Sequence, residues 1–359
     1  MATEITGVLA RASYTGGPAA LPTPGGEPAT FVPIATSRVL DTREDGPWGA
    51  AGAVAAERAR AVDVSGVVPD GATAVAAYVS ATNTTGPGFL TSYECGTELP
   101  TASSANYLAD QSRGALTIVP LDTQGRFCLY TYAQADLLVD VQGAFVPGEG
   151  AAGLGLTPVD PPQRLADTRV DGRQQIVRVA VPRGAAAAVV NLTAVAGDAA
   201  GYLTAFPCAD DVPLSATVNY MARDVVAGAA FVPLADDGSF CVYTMSTDAD
   251  VVVDVTGTFG AADADGALAF VPAAPTRTID TRNGTGGWSP IHGGEQTIDT
   301  QVASGVSELH DSGLLYRGRP AAELARAASF EQVAELLWTG TLPDAAPAWR
   351  PDRAAHRCL

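Results

Sequence analysis

Histidine is the side chain most often recruited as a base near neutral pH, and this chain has three, His292, His310 and His356. None lies before Val271, so Ser-His-Asp or Cys-His nucleophilic catalysis is excluded from the first three quarters of the sequence. Carboxylates remain. Asp41, Asp167 and Asp280 sit in three copies of Arg-x-x-Asp-Thr-Arg, running Arg38 to Arg43, Arg164 to Arg169 and Arg277 to Arg282. Asp140 and Asp254 sit in two copies of Val-Asp-Val-x-Gly-x-Phe. A guanidinium can donate paired hydrogen bonds to a carboxylate. The favoured reading is therefore structural: the strand Asp accepts from an Arg of the first element and closes a domain where its ends meet. A calcium site is an alternative, although no clustered Asp-x-Asp loop is present. A glycosidase acid pair is a third, without an aromatic-lined carboxylate motif to support it.

Cysteine adds redox chemistry. Cys95 and Cys128 are 33 positions apart, as are Cys208 and Cys241. Two intra-repeat disulfides are expected, with repeated buried thiols as the alternative, and Cys358 is left unpaired. Two sulfurs without a nearby histidine do not complete a zinc site. Aromatic residues recur as Phe89/Tyr202, Tyr93/Phe206, Tyr107/Tyr220 and Tyr130/Tyr243. They read either as a sugar-stacking platform or, more commonly in strands, as half-buried sheet residues. The glycosylation sequons at Asn83, Asn191 and Asn283 are read as incidental.

These residues are positioned by an internal repeat. An offset of 113 carries Cys95 onto Cys208, Asn106-Tyr107 onto Asn219-Tyr220, Gly125 onto Gly238 and Cys128 onto Cys241. One more residue brings Val139–Phe145 onto Val253–Phe259, and about 13 extra residues lie between Arg43 and Thr73. Within a repeat the hydrophobic period is two: Val190, Leu192 and Ala194 alternate with Asn191 and Thr193. Turn clusters such as Gly86-Pro87-Gly88 and Asp236-Asp237-Gly238 bound the runs. The fold expected is mainly β: two tandem antiparallel sandwich- or barrel-like repeats of about 110 residues, a truncated third repeat and a short α-helical C-terminal segment. The boundaries read as a Gly/Pro-rich linker over 1–30, repeats over 31–147 and 155–260, a truncated repeat over 268–303, a helical fragment over 304–343 and an irregular tail over 344–359. The two repeats are expected as separate domains, with the extra residues of the first making an excursion around Trp48. In the last segment, Ser329-Phe330-Glu331-Gln332 reads as a capping box.

Composition narrows the function classes. Of 359 residues, 47% are hydrophobic, enough for real cores. The net charge of −18 disfavours nucleic acid as a partner. No run of 18 apolar residues occurs, so no membrane span is expected. The first residues lack a basic and apolar leader, so no signal peptide is read in the chain as given. Disulfides nevertheless imply an oxidising compartment, and export of the parent protein is expected.

Arg164-Leu165-Ala166-Asp167-Thr168-Arg169, Gly201-Tyr202-Leu203-Thr204 and the Val-Asp-Val-x-Gly-x-Phe ending resemble a tandem β repeat of secreted and envelope proteins in high-GC Gram-positive bacteria, over residues 31–303. The resemblance implies an adhesion or wall-association module without catalytic residues or cofactors. Its partner would be cell-wall glycan or another surface protein. A second resemblance follows. Ser304–Ser307, Gly313–Pro320, Glu323–Ala325, Ser329–Leu337 and Gly340–Pro343 are similar in order to the N-terminal part of citrate synthase. It implies cytoplasmic acetyl-CoA and oxaloacetate condensation, but brings no catalytic residue onto this chain. The missing synthase body would be a partner, and the joint between the two resemblances reads as chimeric or frameshifted. The expectation is a non-catalytic envelope or secreted β-repeat module. The alternatives are a citrate synthase represented by a fragment and a calcium- or sugar-binding lectin-like module.

Overall fold

The computed structural model describes residues 2–10, 27–148, 153–181, 184–264, 266–280, 307–310, 313–316, 319–339 and 341–345. They fall into two compact units, one taking in the strands up to Arg277 and the other beginning at Thr278.

In the first unit, β1 (Ala2–Ala10) lies inside the stretch expected as linker. Repeat 1 supplies β2 (Ala29–Asp41), β3 (Arg58–Asp63), β4 (Ala74–Thr82), β5 (Gly88–Glu94), β6 (Ala105–Tyr107), β7 (Arg113–Pro120), β8 (Arg126–Thr131) and β9 (Asp136–Pro147). Repeat 2 supplies β10 (Leu154–Asp167), the short helix α1 (Thr168–Asp171), β11 (Ile176–Ala180), β12 (Ala187–Val195), β13 (Gly201–Pro207), β14 (Val218–Tyr220), β15 (Val225–Pro233), β16 (Ser239–Thr244) and β17 (Asp250–Ala261). The two repeats correspond strand for strand. Each places four strands in a long sheet, β2-β9-β4-β7 or β10-β17-β12-β15, and four in a second sheet, β3-β8-β5-β6 or β11-β16-β13-β14. All pairings between these strands are antiparallel.

Inward residues from both sheets build a separate core in each repeat. Val75, Val79, Leu90, Phe127, Leu129 and Val139 fill the first, and Val190, Leu192, Leu203, Phe240, Val242 and Val253 the second. The glycine in the closing strand has a steric cause. A Cβ on Gly143 would run into the Phe31 ring, and one on Gly257 would meet Leu156 at 2.9 Å.

The expectation of separate domains is corrected in one respect. The long sheet runs through both repeats, because the opening strands β10 and β2 pair at Leu154↔Phe31. Another opening strand, β18 (Ala269–Asp280), joins the same junction through Phe270↔Ala29 and the Leu156↔Leu268 bridge. There Phe31, Phe145, Phe231, Phe259 and Phe270 form a third apolar cluster. Phe31 stacks on Phe259 at 4.1 Å. Apolar residues of both repeats and of β18 therefore bury together, which makes a shared sheet more favourable than two exposed edges. Strand β1 pairs with β18.

In the second unit, β19 (Ser307–His310), β20 (Gly313–Tyr316) and β21 (Arg319–Pro320) form a small antiparallel sheet. Helices were expected from Ser304 onward. Asp-Ser-Gly at 311–313 is instead turn-favouring and suits a hairpin. Helices α2 (Ala321–Ala327) and α3 (Phe330–Thr339) follow. The capping box forms: the Ser329 amide donates to Gln332 Oε1 at 2.9 Å and the Gln332 amide to Ser329 Oγ at 3.3 Å. No helix among the described residues is long and apolar enough to cross a membrane.

Candidate functional site

The opening and closing strands of each repeat run side by side, and their register sets Arg38 opposite Asp140 and Arg164 opposite Asp254. Arg38 donates from Nε to Asp140 Oδ1 at 2.9 Å and from Nη2 to Oδ2 at 3.1 Å. Its Nη1 reaches Asp41 at 3.2 Å. Arg43 turns back onto Asp41 through its amide, Nε and Nη2 at 3.1, 2.9 and 2.6 Å. Repeat 2 copies the pattern. Arg164 donates to Asp254 at 2.8 and 3.1 Å and to Asp167 at 3.3 Å, and Arg169 donates to Asp167 at 3.2, 2.8 and 2.6 Å. Of the third copy, Asp280 and Arg282 lie outside the described side chains, and Arg277 is half-buried at the boundary of the units.

The two copies differ in surroundings. The Arg38 side chain is 10% exposed and Asp140 3%, whereas Arg164 is 51% exposed and Asp254 23%. Burial pushes the Asp140 carboxyl up, and the Arg38 hydrogen bonds only partly offset it. Burial also acts to raise Asp41, but the bonds from Arg43 outweigh it and the carboxyl is lowered. The Arg169 side-chain bonds hold Asp167 down at about 2.

The threonine of the Asp-Thr-Arg element carries a further bond that sequence reasoning missed. Thr42 Oγ1 donates to Asp136 at 2.9 Å and accepts the Leu137 amide at 2.9 Å. Thr168 likewise donates to Asp250 at 3.2 Å and accepts the Val251 amide at 2.8 Å. Asp136 and Asp250 share the offset of 114 that relates Asp140 to Asp254, and that offset was the available signal.

Beside the first cluster lies a cleft of about 310 Å³, lined by Arg38, Arg43 and Trp48 from repeat 1 and by Tyr202, Ser215 and Asn219 from repeat 2. The extra residues of repeat 1 fold back here, and Arg38 sits over the Trp48 ring at 5.9 Å.

The aromatic series splits. Tyr107 and Tyr220 are buried, and each ring packs over a glycine, Gly88 or Gly201. The Tyr107 hydroxyl meets Thr131 Oγ1 at 2.7 Å. Phe206 is also buried. Phe89, Tyr130 and Tyr132 instead share the outer side of the second sheet. Phe89 stacks on Tyr132 at 5.3 Å and lies 5.9 Å from Tyr130, and Tyr132 is 47% exposed. Tyr202 and Tyr243 form a half-buried pair at 6.2 Å in repeat 2. The pairs Cys95–Cys128 and Cys208–Cys241 are at disulfide distance within their repeats, with Cα separations of 5.0 and 4.8 Å, and Cys358 lies outside the described residues. Among the described residues no group of three or more His, Cys, Asp or Glu side chains could hold a metal ion.

Residues 296–357 match the family described as citrate synthase, C-terminal domain. The match is wider than the 304–343 read from the motif blocks, and its description names the C-terminal domain where the N-terminal part was expected. No curated protein matches the chain. Among solved structures, the N-terminal CBM22-1-CBM22-2 tandem domain of Xyn10C from Paenibacillus barcinonensis is similar over 70% of this chain and 100% of that one. The identity is 13% and the TM-score 0.19, too low for an argument to rest on it.

Proposed function

We propose that the β repeats form a non-catalytic glycan-binding module of an exported envelope or secreted protein. The observation that carries this reading is the stacked Phe89–Tyr132 pair beside Tyr130 on the outer side of the second sheet. Exposed rings offer an apolar face to sugar C–H groups and, in tyrosine, a hydroxyl to sugar oxygens. The Arg–Asp clusters act as structural clasps, since their donors and acceptors already satisfy one another. Two disulfides support an oxidising compartment. A net charge of −18 repels polyanions, so a neutral wall polysaccharide is the ligand class. Co-sedimentation with insoluble cell-wall polysaccharide tests this. The wild-type chain is expected in the pellet, and Tyr132→Ala is expected to bind at least about tenfold more weakly. Equal pelleting of both proteins would refute the aromatic site.

A second reading rests on the match at 296–357, whose family description names citrate synthase. Citrate formation needs a base and an acid held within hydrogen-bond reach of the substrates, and no residue of this chain is assigned either role. Purified chain is expected to form no citrate from acetyl-CoA and oxaloacetate above buffer. Saturable turnover would favour the synthase reading.

A further inference from the structure

Repeats 1 and 2 present corresponding faces of their long sheets; that of repeat 1 is covered along its length, whereas among the described residues that of repeat 2 is covered only where Ala187, Val189, Phe231 and Phe259 join the third apolar cluster. In repeat 1 every residue of β4 from Ala74 to Ala81 and of β9 from Asp136 to Phe145 is buried. Burial on both sides of a strand requires a layer on each face. One layer is the second sheet of repeat 1, and the other is repeat 2. The Phe231 amide donates to Gln142 Oε1 at 3.0 Å, Asp224 pairs with Arg113 at 3.3 Å, and Asn219 approaches the Tyr78 hydroxyl.

In repeat 2 the corresponding strands alternate. Val189, Asn191 and Thr193 of β12 and Asp254, Thr256 and Thr258 of β17 are half-buried, between neighbours that are buried. On edge strand β15, Val225 is 71% exposed, and Ala227 and Ala229 are exposed. Asn191 and Asp254 stand where Tyr78 and Asp140 stand in repeat 1. The greater exposure of Arg164 relative to Arg38 belongs to the same difference. The covering ridge also has a free counterpart. Asn106 of β6, which corresponds to Asn219 of β14, is exposed.

We propose that the uncovered part of the long-sheet face of repeat 2 binds a second copy of this chain, which seats its β6 ridge around Asn106 there as the β14 ridge seats on repeat 1 within one chain. The small side chains of Ala227 and Ala229 permit close approach. Asn191 and Asp254 offer the polar groups that such a ridge pairs with in repeat 1. One free face and one free ridge on the same chain make the contact heterologous, so copies associate head to tail.

Sedimentation velocity of the whole chain over a concentration series tests this. The wild type is expected to self-associate. Asn191→Arg on the face and Asn106→Arg on the ridge are each expected to weaken association at least about tenfold, because each puts a long side chain where the two surfaces must approach closely. Val225→Arg, at a position already in solvent, is a second face variant that avoids disturbing the sheet. An equimolar mixture of the Asn191→Arg and Asn106→Arg chains is expected to form a 1:1 dimer, since one copy keeps an intact ridge and the other an intact face. A monomeric wild type would overturn the proposal. So would an Asn106→Arg chain that self-associates like the wild type, because association would then be face to face.

Discussion

Arg164, Asp167, Arg169 and Asp254 make a small network in which each charge faces its opposite at 2.6–3.3 Å. Because Arg169 lowers Asp167 to about 2 from an ordinary 3.8, the folded state holds fewer protons than the unfolded chain between those values. The stabilisation from Asp167 is therefore complete above about pH 4 and is lost as pH falls through the folded value. Thermal midpoints of the wild type are expected to drop between pH 4 and pH 2, and Asp167→Asn is expected to flatten that limb. Parallel acid limbs in the two proteins would remove Asp167 from the account. The sequence expectation paired the strand Asp with an Arg of the opening element; the return of Arg169 onto Asp167 was not part of it. Arg and Asp recur at fixed spacing, and a guanidinium fits few partners as well as a carboxylate. The differing exposure of the two copies was not legible, because it depends on which repeat lies across which sheet.

At the scale of elements, the closing strand shows why its glycine recurs. Phe31 of β2 occupies the space beside Gly143 of β9 that a side chain would need, and Leu156 approaches Gly257 in the same way. Gly143→Ala is expected to destabilise the fold by about 1–3 kcal/mol through overpacking, read as a shift in the urea midpoint with an unchanged slope. A neutral substitution would mean that the Phe31 ring moves aside at little cost. Strand identities followed from the period-two pattern and the turn clusters. The pairing of β10 with β2 at Leu154↔Phe31 did not, because one pair between distant strands leaves no local pattern. Strand β1 was missed for a related reason: Ile5-Thr6-Gly7-Val8-Leu9 resembles the closing motif but lacks its Val-Asp-Val start. The β19–β21 sheet was missed because short apolar runs near helical segments do not distinguish strand from helix.

At the scale of the whole molecule, the chain joins a two-repeat β unit with its own disulfides to a segment matching a citrate synthase family over 296–357. The repeats were legible because so many positions match at one offset, whereas the outward-facing rings were not. Phe89 and Tyr107 look alike in an alternating pattern, and only their sides of the sheet separate a half-buried ring from a core ring. On the proposed function, the outward rings bind neutral glycan. This is tested most directly by calorimetric titration of the whole chain with soluble fragments of neutral wall polysaccharide, at low and high salt. Saturable binding is expected that changes little with salt, since attraction between charges is not its source, and that is lost in Tyr132→Ala. Absence of binding, or binding that survives in Tyr132→Ala, would contradict it.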